Sequence, residues 1–282
     1  MAKRGSSQDL TTIGLDLAWK IGRPSGVSVA RWSGGKATLV EPAVARAMEN
    51  RAVLELVERV APRGPCIVAI DCPLEIPNAT GMRPCDRLLA RLFRPYHAGP
   101  HPANRTIFLR RAELRGEQLA HDLRDRLGFS LDPRAGSPRT VIEVYPHPAT
   151  VVLFDLERIL PYKAKGGRSL ALRQRALADL QRHLQSLAER DPPFVIDDPV
   201  VAADTTGLRG KKFKEVEDAL DSLLCTYVGL LYGLRGHHAT AVFGDQRNGH
   251  IVVPMTPAWW RALGNPVSPD VLYEHRPEPP NP

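Results

Sequence analysis

Residues 11–19, with the sequence TTIGLDLAW, form the stretch that decides the fold. Successive side chains of a strand point to opposite faces, so Gly14 and Asp16 share one face while the apolar residues between them take the other. Turn residues follow, and strand patterns recur at residues 27–32 and 37–40. The sequence therefore predicts three strands joined as a meander.

The pattern then alternates between helix and strand. Residues 46–60 have apolar side chains at helical spacing, and residues 66–71 (CIVAID) form an apolar run that is typical of a buried central strand. A fifth strand is predicted at residues 140–145. Further predictions are helices at 85–93, 106–127, 149–159, 169–188 and 213–234, a proline-rich loop at 191–199, and short strands at 240–243 and 250–253.

Composition excludes several classes of protein. The chain has 282 residues, of which 43% are hydrophobic and 24% are charged, as in ordinary globular proteins. Its longest apolar run, at 223–234, is shorter than the about 20 residues that cross a bilayer, and no secretory signal is visible. The four cysteines form no C-x-x-C pair, and their spacing to histidines does not fit a zinc site. We therefore expect reduced thiols, a cytoplasmic location and no membrane partner.

We expect a single domain over residues 11–273, with an insertion at about 82–139 and disordered tails at 1–10 and 274–282. The insertion contains 12 arginines, no lysine and 6 acids, so it carries +6 of the formal net charge of +7. Such a basic segment predicts contacts with phosphate groups. A solvated helical surface would have the same composition.

Three carboxylates lie in or at the end of apolar strands, namely Asp16, Asp71 and Glu143. A carboxylate in such a place needs a hydrogen bond or a cation. On the late helix, Asp221 falls at the edge of the apolar stripe and Asp218 nearer the solvent side. Each acid alone also suits a local role, such as capping or a turn. As a set they predict a Mg²⁺ or Mn²⁺ site formed by Asp16, Asp71 and Asp221, with Asp218 as a further ligand and Glu143 as a further catalytic candidate.

Sequence blocks distributed along the chain carry a resemblance to a known family. They include GLDLA at 14–18, AIDCPL at 69–74, EVYPHP at 143–148 and EDALD at 217–221. These blocks resemble domain-of-unknown-function family 429, whose members are predicted to be ribonuclease-H-like nucleases. The resemblance runs from about residue 12 to residue 254.

The resemblance implies an α/β fold with a mixed sheet, in which parallel strands join the three-strand antiparallel meander and helices cover both faces. The basic segment would be a helical insertion in that fold. It also implies that metal-binding acids lie at the positions of Asp16, Asp71 and Asp221.

Six residues are candidates for contact with a substrate. They are Arg83, Asn104 and Arg105 in the basic insertion, and His147, Lys163 and Arg168 near the expected metal site. Cationic and amide side chains of this kind contact the nucleic-acid backbone. Trp259 and Trp260 are candidates for stacking on bases, with core packing as the alternative.

The sequence thus predicts a nuclease dependent on Mg²⁺ or Mn²⁺ that acts on DNA or RNA. Two alternatives stay open. One is an actin-like phosphotransferase that uses ATP, although residues 19–26 lack the glycine and threonine of a phosphate loop. The other is a non-catalytic nucleic-acid-binding module on the same fold. The sequence also leaves open whether the protein is a monomer or a homodimer.

Overall fold

The computed structural model describes residues 9–111 and 113–264. Its strands are β1 (Leu10–Asp16), β2 (Pro24–Ser33), β3 (Lys36–Ala47), β4 (Cys66–Ile70), β5 (Arg139–Glu143), β6 (Phe194–Val195), β7 (Thr240–Asp245) and β8 (Gly249–Pro254). Its α-helices are α1 (Asn50–Val60), α2 (Pro84–Phe93), α3 (Arg105–Arg111), α4 (Arg115–Leu127), α5 (Pro146–Phe154), α6 (Leu170–Gln185), α7 (Gly210–Arg235) and α8 (Pro257–Ala262). The tail predicted at 274–282 and residues 1–8 of the other predicted tail lie outside the described residues.

The main sheet has six strands in the order β5-β4-β1-β2-β3-β6. The strands β1, β2 and β3 form the predicted antiparallel meander, and β4 and β5 continue the sheet parallel to β1. The hairpin of β7 and β8 forms a separate two-stranded sheet. This mixed α/β architecture confirms the predicted fold class and is consistent with a ribonuclease-H-like sheet.

Helices pack on both faces of the main sheet. One apolar core lies between the sheet and α7, and includes Leu220, Leu223 and Tyr227. The other lies between the opposite face and the helices α1 and α4, and includes Val53, Val57, Leu119 and Leu123. Within the described residues, no helix is both long enough and apolar enough to cross a membrane.

Several elements differ from the prediction. The strand β3 continues to Ala47, well beyond residue 40, because it pairs with nearly the whole length of β2. The helix predicted at 106–127 is divided into α3 and α4. Between them, the Glu113 N–H donates to the Trp19 carbonyl, and the Glu113 carboxylate accepts from the Ile21 N–H. These contacts tie the segment to the β1–β2 loop.

The remaining differences concern prolines and short elements. The helix α5 begins at Pro146, three residues before the predicted start, because proline is well accommodated in the first turn of a helix. It ends at Phe154 rather than residue 159, since Asp155 takes a left-handed conformation. The two-residue strand β6 lies inside the predicted loop, where its edge pairing to β3 is too short to leave a sequence pattern.

Candidate functional site

Asp16 and Asp71 lie side by side at the carboxyl ends of neighbouring parallel strands. In the register of β1 and β4, Leu15 pairs with Ile70, and the Asp71 N–H donates to the Leu15 carbonyl at 2.8 Å. Leu15 and Ile70 pack into the core beneath α1 and α4. The next side chain on each strand therefore points to the opposite face, toward α7.

Two glycines allow α7 to approach this edge of the sheet. A Cβ atom at Gly14 would lie 2.1 Å from the Ser222 carbonyl oxygen, and one at Gly26 would lie 1.9 Å from the Asp218 carbonyl oxygen. Both distances are too short for any side chain, so only glycine permits the contact. The close approach brings the acids of α7 to the strand ends that carry Asp16.

Asp221 is the best-anchored acid of the group. Its side chain is fully buried. The Tyr162 hydroxyl donates to Asp221 Oδ1 at 2.7 Å, and the Lys163 ammonium lies 2.9 Å from Oδ2. The Tyr162–Lys163 pair therefore holds this carboxylate from the loop that follows α5.

Asp218 also lies inside the protein, and its predicted position nearer the solvent is wrong. Its exposure is 3%, because the close contact at Gly26 presses this part of α7 against the sheet. Lys214 lies 2.5 Å from Asp218 and 2.6 Å from Glu217. The acids of α7 are thus partly balanced by a lysine one turn earlier on the same helix.

The pKa values show that these groups act on one another. Burial raises the pKa of Asp16 and Asp71, an effect that Lys163 opposes and Asp221 reinforces. Burial and the neighbouring Asp16 raise the pKa of Asp218 to about 8. Burial alone would lower the pKa of Lys163, but the carboxylates, with Asp221 foremost, raise it well above its usual value. The cluster therefore favours the uptake of positive charge.

His147 lies beside this cluster. The centroid of its ring lies 5.6 Å from that of Tyr145, in an edge-on arrangement, and 6.0 Å from that of Tyr162. Burial and the nearby Lys163 lower the pKa of His147 to about 3, so its imidazole is neutral at pH 7. Its Nδ1 is buried and has no hydrogen-bond partner within the described part of the chain.

Glu143 does not join the acids, which corrects its prediction as a catalytic residue. It pairs with Ile70 in the register of β4 and β5, so its side chain takes the face opposite to that of Asp71. There it forms an ion pair with the Arg83 guanidinium at 2.6 Å.

Arg83 is itself buried, with an exposure of 1%, and it also pairs with Asp86 at 2.8 Å. The predicted contact of Arg83 with a nucleic-acid backbone therefore does not agree with the structure.

Two other predicted substrate contacts in the insertion also hold the insertion together. Asn104 is buried, donates to the Gly81 carbonyl and accepts from the Ile107 N–H. Arg105 pairs with Glu117 at 2.9 Å but remains about one-third exposed. Arg105 therefore combines a structural pairing with an accessible edge, whereas Asn104 offers no accessible group.

Arg168, Trp259 and Trp260 differ in how well their surroundings agree with a contact to a ligand. Arg168 donates to the Lys163 carbonyl and is partly exposed, which leaves it close to the acids. Trp259 stacks on Phe93 at 5.1 Å, which supports packing rather than base stacking. Trp260 is half-buried and donates through Nε1 to the His238 carbonyl.

One exposed basic surface of the insertion follows α2 and the residue after it. Arg87, Arg91 and Arg94 are exposed and follow one another at spacings of four and three residues, so they share one face of the helix. Other arginines are engaged inside the protein; Arg115, for example, is buried and donates to the Ala18 carbonyl at 2.9 Å. The net charge of the insertion therefore overstates the basic surface that a ligand can reach.

Sequence reasoning missed the role of two residues at the site. They are Tyr162 and Lys214. Lys214 precedes Glu217 and Asp218 by three and four residues, which is the spacing of helical ion pairs and could have identified it. No comparable pattern marks Tyr162, because its contact with Asp221 joins two distant segments.

The donor groups of the cluster suit a divalent cation in type and charge. The carboxylates of Asp16, Asp71, Asp218 and Asp221 are oxygen donors of the kind that Mg²⁺ and Mn²⁺ prefer. Their number exceeds that of the ammonium groups of Lys163 and Lys214. In coordination geometry the fit is incomplete: within the described residues, no group of three or more His, Cys, Asp or Glu side chains is arranged to hold a metal ion. The Lys163 ammonium lies among the carboxylates and supplies the positive charge there.

Comparison with known proteins adds a family but no function. Residues 14–246 match the family model described as "Protein of unknown function (DUF429)", and this range includes every acid of the cluster. No curated protein and no solved structure matches the chain.

Proposed function

We propose that this chain, which belongs to the DUF429 family of proteins of unknown function, hydrolyses phosphodiester bonds of nucleic acid with Mg²⁺ or Mn²⁺. The observation that carries the proposal is the convergence of Asp16, Asp71 and Asp221 at one edge of the sheet. These acids come from two strands and a helix far apart in the chain. A local capping role for each does not account for their convergence.

In this proposal, Asp16, Asp71 and Asp221 would hold the cation and Asp218 would contribute a further ligand. A divalent cation bound there would lower the pKa of water and neutralise charge on phosphate oxygens. Tyr162 fixes the orientation of the Asp221 carboxylate through its hydroxyl. The pairing of Lys214 with Asp218 positions that acid at the edge of the site.

Lys163 serves the proposed reaction by pairing with negative charge. Without a divalent cation, its ammonium balances Asp221. With the carboxylates neutralised, the same ammonium is free to bind a non-bridging oxygen of the phosphate. His147 is neutral, so its unpaired Nδ1 accepts a hydrogen bond from a water molecule and orients it.

A second candidate function is favoured by one observation. The ammonium of Lys163 lies 2.9 Å from Asp221. Such an ion pair is also typical of a network that only stabilises the fold. With such a network, the chain would be a non-catalytic nucleic-acid-binding module that uses the exposed arginines of α2.

Substitution of Asp16 by asparagine tests the proposed function. We expect wild-type protein to cleave a labelled single-stranded oligonucleotide in Mn²⁺ but not in EDTA, and Asp16→Asn to reduce the rate at least about 100-fold. Asp204→Asn, which changes an exposed acid outside the cluster, is the matched control and retains the rate. Circular dichroism verifies that both variants are folded.

Two results would contradict the proposal. One is cleavage by Asp16→Asn at the wild-type rate. The other is an oligonucleotide that binds the wild-type protein without any Mn²⁺-dependent cleavage, and this outcome would establish the binding module instead.

A further inference from the structure

Trp19 is an exposed aromatic residue close to the acid cluster. It is 41% exposed and follows Asp16 by three residues in the loop between β1 and β2. Three residues of fully extended chain span at most about 11 Å, which limits the distance between the two backbone positions. The backbone of Trp19 therefore lies at the same edge of the sheet as the carboxylates.

The loop that presents Trp19 is firmly anchored. The buried guanidinium of Arg115 donates to the Ala18 carbonyl at 2.9 Å and to Ser25 Oγ at 3.2 Å. The Glu113 N–H donates to the carbonyl of Trp19 itself at 3.2 Å. These bonds hold the backbone on both sides of the indole, so its exposure is a property of an ordered loop.

The indole is supported by a second aromatic ring. Its centroid lies 4.8 Å from that of Phe108 on α3, at an interplanar angle of 35°. Phe108 is buried against Ile76, which belongs to the segment that leaves β4 after Asp71. Trp19 thus has a packed side and an open side, and the packing reduces the rotational freedom that a stacking ligand would otherwise have to remove.

The surroundings of Trp19 combine apolar and cationic groups. Leu109 follows Phe108 on α3 and is 68% exposed. Ile21 lies in the same loop as Trp19 and is 47% exposed. The cations Lys20 and Arg23 are exposed on the same loop as Trp19. An aromatic face with flanking cations is the combination that proteins use to bind unpaired bases and their backbone.

We propose that Trp19 stacks on an unpaired nucleobase next to the phosphodiester bond at the acid cluster. The substrate is then a single-stranded segment of nucleic acid, whose backbone pairs with Lys20 and Arg23. This inference rests on the proposed function for the identity of the ligand. Its test is a binding measurement that does not depend on cleavage.

The experiment compares the binding of labelled single strands of about 12 nucleotides, as DNA and as RNA, in EDTA by fluorescence anisotropy. We expect Trp19→Ala to weaken binding at least about tenfold, and Trp19→Phe to retain most of the affinity, because phenylalanine keeps an aromatic face. Val40→Ala is the matched control: it removes an apolar side chain that is 41% exposed, like Trp19, but lies on β3 outside the proposed surface, and it leaves the affinity unchanged.

An abasic strand of the same length separates stacking from backbone contact. If Trp19 stacks on a base, Trp19→Ala and wild-type protein bind the abasic strand with equal affinity. Equal affinity of the two proteins for the normal strands overturns the inference, and so does an equal loss on normal and abasic strands. Cleavage in Mn²⁺ is scored separately, so a failure of the proposed function is recognised by its own readout.

Discussion

Lys163 and His250 are single residues whose surroundings set their charge. Lys163 remains protonated because the carboxylates around it, with Asp221 foremost, outweigh the effect of burial. His250 is buried, and burial together with Arg83 lowers its pKa to about 3. Its Nε2 accepts a hydrogen bond from the Glu143 N–H, as a neutral imidazole does. Each residue makes a prediction that a point substitution tests.

We expect Lys163→Met to bind Mn²⁺ more tightly than the wild-type protein, by at least about tenfold. The substitution removes the ammonium that balances Asp221 and leaves the carboxylates with uncompensated charge. Isothermal titration calorimetry measures the affinity, and Lys165→Met, at an exposed neighbouring position, is the control. Weaker Mn²⁺ binding by Lys163→Met would show that the lysine supports the site only as a structural partner.

Because His250 is buried in its neutral form, we expect the free energy of unfolding to decrease in weak acid. Its pKa lies near 3 in the folded protein and near 6.5 in the unfolded chain, so the unfolded chain binds the proton more readily. The contribution to stability is complete above about pH 6.5 and declines toward pH 3, by at most about 1.4 kcal/mol per pH unit. Urea denaturation between pH 6.5 and 4.5 should show a shallower dependence in His250→Gln, but not in His237→Gln, which changes an exposed histidine. Parallel curves for all three proteins would contradict this assignment.

The helix α7 is the element that completes the site. It packs across β1 and β2 and reaches them only because Gly14 and Gly26 lack side chains. Near Gly14, the hydroxyl oxygens of Ser28 and Thr226 lie 2.6 Å apart in a buried hydrogen bond. The position of the acids on α7 therefore depends on the contact between backbones.

We expect Gly26→Ala to destabilise the protein by about 1–3 kcal/mol and to weaken Mn²⁺ binding, because the added Cβ displaces α7 from the sheet. Gly166→Ala is the control, since no atom lies within 4 Å of its added Cβ. Chemical denaturation and calorimetry measure the two effects. Unchanged stability in Gly26→Ala would mean that the helix can shift without cost.

Most helices and strands were predicted from the sequence, and the predictions that differ from the structure do so for identifiable reasons. The apolar runs and glycine turns of β1, β2 and β4 were sufficient to predict their order. The division between α3 and α4 depends on contacts of Glu113 with a distant loop, which no local pattern records. Glu143 was misassigned because its face is set by the register with Ile70 in the neighbouring strand. The strand ends that carry Asp16 and Asp71 and the helix face of Asp221 follow from periodicity, whereas their role as metal ligands stays a prediction.

Over the whole molecule, the arginines fall into two groups: some are buried and stabilise the fold, and others are exposed to solvent. Arg83 and Arg115 are buried within the structure, whereas Arg87, Arg91 and Arg94 form an exposed row on α2. The row is therefore the better candidate for long-range attraction of a polyanion.

We expect replacement of Arg87, Arg91 and Arg94 by alanine to reduce the salt dependence of single-strand binding. Each lost phosphate contact lowers the slope of log K against log salt by about 0.7, so the triple variant changes it by up to about 2. Arg182→Ala, at an exposed arginine of α6 that pairs with Asp179, serves as the control. An unchanged slope in the triple variant would place the backbone contacts elsewhere.

The distance along the chain between β1 and α7 has a consequence for protein synthesis. Asp16 and Asp71 are translated well before Gly210–Arg235. Until that helix emerges, the nascent chain exposes the apolar face of β1 and β2 that α7 later covers. Until α7 has been synthesised, the chain lacks Asp218 and Asp221 of the cluster, and it offers a binding surface for chaperones until this helix docks.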